Sequence, residues 1–179
     1  ANCRPFAEAE ININLPVTAS AGDDVEICSG ESTRLRATGM EGNGSYTYSW
    51  SNNRTSRNNN VNPTSTTTYT VTITDTGGNC QAVDEVTVTV NPLPQADLGP
   101  DVNVCINEAV TLDPNASNGT PGYTYLWSSG ETTLTASMLV AGTNMVTVTD
   151  NDGCTNVCQV EIIEPTPVTC MTMSTTDPD

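Results

Sequence analysis

The chemistry available to this chain rests on seven cysteines, in a sequence with no histidine and no lysine. Cys154 and Cys158 stand four apart, but no C-x₂-C pair and no second couple at ligand spacing completes a zinc site. Disulfides are the expected use of the sulfur, and they place the protein in an oxidising, extracellular or cell-surface setting. Catalysis is not expected. The usual general bases and Schiff-base nucleophiles are missing, and the carboxylate neighbours Asp23/Asp24 and Asp84/Glu85 point to opposite faces of a strand. Without lysine there are no Lys–Asn isopeptide cross-links, so covalent reinforcement falls to cysteine. Asp150-Asn151-Asp152-Gly153 looks like a fragment of a calcium loop but lacks the distal ligands, and reads better as an Asx turn. No metal or cofactor is expected. Four N-x-S/T tripeptides begin at Asn43, Asn53, Asn115 and Asn118, all between strand-like segments, and are possible glycosylation acceptors.

The elements that must carry these residues are strands. VTITD (71–75), EVTVTV (85–90) and NMVTVTD (144–150) alternate apolar residues with threonine, the period of a half-buried strand. Thirty threonines suit a pleated surface, and Gly, Pro and Asn punctuate the strands as turns. No long segment has helical periodicity, so the class is all-β. A net charge of -16 with only five cations leaves no basic stripe for nucleic acid, and no apolar run is long enough to span a membrane.

The 179 residues contain a repeat. GSYTYSWSNN (44–53) returns as PGYTYLWSSG (121–130), and GDDVEICSGESTRL (22–35) as GPDVNVCINEAVTL (99–112), both 77 residues later. TYTVTITDTGGNC (68–80) matches TNMVTVTDNDGC (143–154) at a slightly shorter offset. Two tandem immunoglobulin-like β-sandwiches follow, at 21–92 and 93–168, with residues 1–20 before them and a tail at 169–179. Trp50 and Trp127 are expected in the two cores, with Tyr46 and Tyr48 on alternate positions beside Trp50. An exposed aromatic platform for sugar is the rival reading of the same hexapeptide. One cysteine precedes the second strand of each unit and another sits in its last hairpin turn, which pairs Cys28 with Cys80 and Cys105 with Cys154. The run NNRTSRNNNVN (52–62) reads as an exposed, flexible loop.

The motifs DV-x-x-C, Y-x-W-S, VTVTD-x-x-GC and the closing EPTPV (164–168) resemble the PKD-like and immunoglobulin-like repeats of large Bacteroidota surface proteins, of the gliding-motility adhesin type. The resemblance covers nearly all of residues 21–168 and implies a secreted or cell-surface repeat protein. Cys3, Cys158 and Cys170 depart from two cysteines per unit.

The N-terminal stretch NCRPFAEAEININLPV (2–17) aligns with GCTNVCQVEIIEPTPV (153–168), so the chain opens on what reads as the last strand of a missing domain. Ala7, Ala9, Ile11, Ile13 and Leu15 form one apolar face of that strand, which favours pairing with another chain. The expected role is a structural subunit or segment of an extracellular filament or adhesin. It would be assembled from copies of itself by donation of this strand and by disulfides among Cys3, Cys158 and Cys170. The alternative is a glycan-binding accessory module of a larger secreted protein.

Overall fold

The computed structural model describes residues 15–105, 108–137 and 139–164. Cys3, Ala7, Ala9, Ile11, Ile13 and Cys170 lie outside the described residues. Contacts divide the chain into two units, Ala1–Asn91 and Pro92–Asp179.

Unit 1 contains β1 (Val17–Ser20), β2 (Val25–Cys28), β3 (Thr33–Arg36), β4 (Thr38–Glu41), β5 (Tyr46–Trp50), β6 (Asn58–Val61), β7 (Thr67–Asp75) and β8 (Gln81–Asn91). One layer is a four-stranded sheet in the order β2-β8-β7-β5, and the other is made by the pairs β1-β4 and β3-β6. Strand β7 shows how threonine alternation builds the sandwich. Tyr69, Val71, Ile73 and Asp75 turn inward and are buried, while the threonines between them stay partly exposed. The buried face packs with Leu35, Val61, Val86 and Val88 around Trp50. Ala37, fully buried, separates β3 from β4, and its N–H turns to the Arg57 carbonyl instead of a strand partner.

Unit 2 contains β9 (Val102–Asn103), β10 (Thr124–Trp127), β11 (Gly142–Thr149) and β12 (Thr155–Ile163), in the sheet order β10-β11-β12-β9. Among the described residues its second layer consists of the bridges Gln95↔Ser117 and Leu112↔Ala136. These are the pairs Thr18↔Met40 and Leu35↔Asn59 of unit 1, displaced by 77 residues on both sides. The repeat in sequence is therefore a repeat in register.

In both units the second strand of the fold runs parallel to the last, β2 against β8 and β9 against β12, while the other pairs are antiparallel. That arrangement, with the hairpin-linked last strands and the tryptophan strand in one sheet, is an immunoglobulin-like sandwich. The chain consequently enters each unit at one end and leaves at the other. In unit 1, Val17 enters opposite Glu41, beside the β7–β8 turn, and Asn91 leaves opposite Cys28. We call these the head and the tail of a unit.

Two sequence expectations change. Residues 17–20 are not part of a separate leading segment, because β1 pairs with β4 of its own unit. The asparagine run 52–62 is not all loop. Asn58–Val61 forms β6, and Asn59 is fully buried because its amide and that of Asn52 exchange two hydrogen bonds of 3.0 and 3.1 Å. That amide pair removes the desolvation cost that made so polar a run look unfit for the interior.

Candidate functional site

The residues with chemistry gather at the heads and tails, and the sulfur pairing is not the one expected. Cys28 and Cys154 are half-cystines, whereas Cys80 and Cys105 are free thiols, so neither Cys28–Cys80 nor Cys105–Cys154 forms. The reason is register. Parallel pairing sets Cys28 opposite Asn91 at the tail, while Cys80 precedes Gln81 at the head, so the whole of β8 separates them. Eleven residues of strand span about 35 Å. A disulfide needs Cα atoms within about 7 Å. In unit 2, the Val104 N–H bonds the Ile163 carbonyl and holds Cys105 at the tail, with the nine residues of β12 between it and Cys154. Each unit thus has one cysteine at its head, Cys80 or Cys154, and one at its tail, Cys28 or Cys105. Cys158 lies elsewhere. It pairs with Val146 in the ladder, on the inward side, and packs half-buried against the core of unit 2.

At each tail the cysteine starts the same turn. The Cys28 N–H donates to a Glu31 carboxylate oxygen at 3.0 Å, and the Cys105 N–H to Glu108 at 2.9 Å. The Glu31 and Glu108 N–H groups return bonds to the Cys28 and Cys105 carbonyls. Cys105 is exposed and lines an open hollow of about 330 Å³ with Asn103, Val104, Glu108 and Ile163.

At each head a buried aspartate holds two loops together. Asp75 accepts the N–H of Asn43 at 2.9 Å and of Gly77 at 3.2 Å. Asp150 accepts three, from Thr120 at 3.1 Å, Asp152 at 3.1 Å and Cys154 at 2.8 Å. Glycine is required opposite both carboxylates. Gly42 and Gly119 have φ of +66° and +64°, and a Cβ there would stand 2.7 and 2.5 Å from the carboxylate oxygen of Asp75 and Asp150. The Asp150 oxygens are thus committed to backbone N–H groups, the Asx-turn reading. Among the described residues no group of three acidic, cysteine or histidine side chains is placed to hold a metal.

The repeated hexapeptide is core, not platform. Trp50 and Trp127 are each 2% exposed, and their indole N–H groups donate at 3.0 Å to the carbonyls of Ser56 and Thr133, six residues on in both units. Tyr46 and Tyr123 donate their hydroxyls to the carbonyls of Glu41 and Asn118, five residues back, both in left-handed backbone. The motif therefore ties the head loop, the core and the following loop to one strand. Burial, then the charge of Asp113 and the nearby Tyr123, raises the Tyr125 phenol above its ordinary value, which keeps it neutral.

The four N-x-S/T asparagines are all exposed. The Asn118 amide nitrogen already donates to the Leu93 carbonyl at 2.9 Å, so a sugar there would displace a bond that anchors the start of unit 2.

The fold and these sites define a class, tandem immunoglobulin-like β-sandwich units with a cysteine at either end. Solved structures that align with this chain include a three-immunoglobulin titin fragment bearing E-to-A changes, at 14% identity and TM-score 0.44 over 79% of this chain. Sidekick-1 immunoglobulin domains 1–4 align at 14% identity and TM-score 0.46 over 86% of this chain. The PKD domain of human KIAA0319 aligns at 23% identity and TM-score 0.35 over 48% of this chain and 88% of its own. The chain spans 62% of the titin fragment and 49% of the Sidekick-1 chain. The sequence matches no protein-family model and no curated protein.

Proposed function

We propose that the protein is a structural subunit, or a segment, of a secreted extracellular filament or cell-surface adhesin, in which copies join head to tail. The observation that carries this reading is the path of the chain, in at the head and out at the tail of a sandwich whose β2 and β8 are parallel partners. Tension along such a chain draws the two strands in opposite directions and loads their ladder in shear, so its hydrogen bonds resist together. Half-cystines and the absence of lysine agree with an oxidising setting where disulfides do the covalent reinforcement. The stretch 7–15 supplies the non-covalent joint, as a strand added to a sheet edge of the next copy. Leu15, the one member of its apolar face among the described residues, is 56% exposed.

Two results are expected. Deleting residues 1–15 leaves both units folded, since the described strands begin at Val17, but abolishes polymers seen by electron microscopy. An unfolded truncation, or an intact chain that stays monomeric at high concentration in oxidising buffer, overturns the reading. Under single-molecule extension, unit 2 yields at lower force than unit 1. Its parallel clamp has two ladder pairs, Ile162↔Val102 and Ile163↔Asn103, against four between β2 and β8. Equal unfolding forces, or unit 1 opening first, would remove the mechanical reading.

A further inference from the structure

The four cysteines at the unit ends are not in the same state. Of the tail pair, Cys28 is a half-cystine and Cys105 a free, exposed thiol. Of the head pair, Cys154 is a half-cystine, 0% exposed, and Cys80 a free thiol that is only half-buried. The members of each pair occupy matching positions of the repeat, with the Cys-x-x-Glu turn at both tails and the aspartate-capped loop at both heads. Both kinds of site are therefore shown to take a disulfide in this chain. The two that are free thiols are Cys80 at the head of unit 1 and Cys105 at the tail of unit 2, which are complementary rather than alike.

We propose that Cys105 of one copy forms a disulfide with Cys80 of the next, so that the tail of unit 2 is bonded covalently to the head of unit 1 of a second copy. This rests on the head-to-tail reading above and adds the residues of the joint. Cys105 is exposed and opens into the hollow beside Ile163, itself 42% exposed, while Cys80, half-buried against the core of unit 1, follows the β7–β8 turn with its S–H directed to the Gly78 carbonyl at 3.8 Å. The bond also answers a physical difficulty. Copies carrying a net charge of -16 repel one another, and a covalent link holds where an electrostatic one would not.

The oxidant is a small-molecule disulfide. The Cys105 thiolate attacks it, forming a mixed disulfide and releasing one small thiol. The Cys80 thiolate of the next copy then attacks the Cys105 sulfur, the mixed S–S bond breaks, and the second small thiol leaves. Two protein thiols are oxidised to one disulfide, and one small disulfide is reduced to two thiols that carry off the two protons.

The test uses the full chain in a glutathione redox buffer, read on non-reducing gels, with peptic peptide mapping of each band. The wild-type protein should give a ladder in which Cys80 and Cys105 peptides are linked in every band above the monomer. Cys80→Ser and Cys105→Ser alone should each lose at least tenfold of the ladder intensity. Mixed in equal amounts, they should give a dimer and nothing longer, because only one productive pair is left. Dimers from either variant alone, a Cys80–Cys105 link in the monomer band, or a ladder linked through other cysteines would overturn the proposal. Electron microscopy in reductant separates the two levels. Polymers that form there while the Cys80–Cys105 link never appears in oxidising buffer sink this joint and leave the filament reading standing. Monomers in both buffers sink both.

Discussion

Trp50→Ala and Trp127→Ala are each expected to destabilise their own unit by about 3–5 kcal/mol, the usual cost of truncating a large core aromatic. Each indole is among the largest fully buried side chains of its sandwich, packed between the two layers. Truncation removes those contacts, leaves a cavity and breaks the bond to the Ser56 or Thr133 carbonyl. A unit of this size has a total stability of roughly 5–10 kcal/mol, so the loss takes a large part of it. Trp50→Phe and Trp127→Phe keep much of the volume and forfeit the hydrogen bond, at a cost of roughly 1–2 kcal/mol. The chain has two tryptophans, one per unit, so urea unfolding of a Trp50 variant followed by fluorescence reports unit 2 alone. Hydrogen exchange at Val71 and Ile73 of β7 reports unit 1 in the same sample. A Trp50→Ala protein with undiminished protection in β7, or one that keeps its stability and loses glycan binding, would return the tryptophans to the platform reading.

Asp150→Ala is expected to cost roughly 3–5 kcal/mol in unit 2, on the basis of about 1.5–3 kcal/mol for a hydrogen bond to a charged group, partly offset by water reaching the loop. The carboxylate is 5% exposed and accepts three backbone N–H groups from two separate loops. Alanine leaves all three without a partner, and that of Cys154 belongs to a fully buried residue. Asp150→Asn is the finer probe. Its carbonyl oxygen can keep the Asp152 and Cys154 bonds made by one carboxylate oxygen, but its NH₂ then faces the Thr120 N–H, donor against donor. The expected loss is about half that of alanine, within the range for one charge-assisted bond. Thermal unfolding of the three proteins, with and without calcium or chelator, makes the comparison. Calcium should move none of the midpoints, because the Asp150 carboxylate already accepts three backbone N–H groups and, among the described residues, no group of three acidic side chains converges there. A calcium-dependent rise in the parent that Asp150→Asn abolishes would mean that the loop is a cation site after all.

The parts of the molecule written locally were legible from sequence alone. Threonine alternating with Val or Ile over five to seven residues dictates a strand with one wet and one dry face, whatever lies around it. The echo of Tyr-Thr-Tyr-x-Trp-Ser at 77 residues then fixes the number of units and the place of Trp50 and Trp127. The Asx turn at Asp150 follows from the same short-range chemistry. Only the tertiary structure decided which cysteines could meet. The strand before Cys28 could have packed antiparallel or parallel to β8, and nothing in VEIC distinguishes the two. Parallel pairing sends Cys28 to the tail and strands Cys80 at the head, a strand's length away. Burial of Asn59 was equally hidden, since a run of asparagines shows no apolar period and its partner Asn52 is a matter of loop geometry. Period is a property of neighbours in the chain and can be read there. Register and the pairing of distant side chains depend on how whole strands align, and the placing of Cys80 at the head of unit 1 and Cys105 at the tail of unit 2 is a consequence of that alignment.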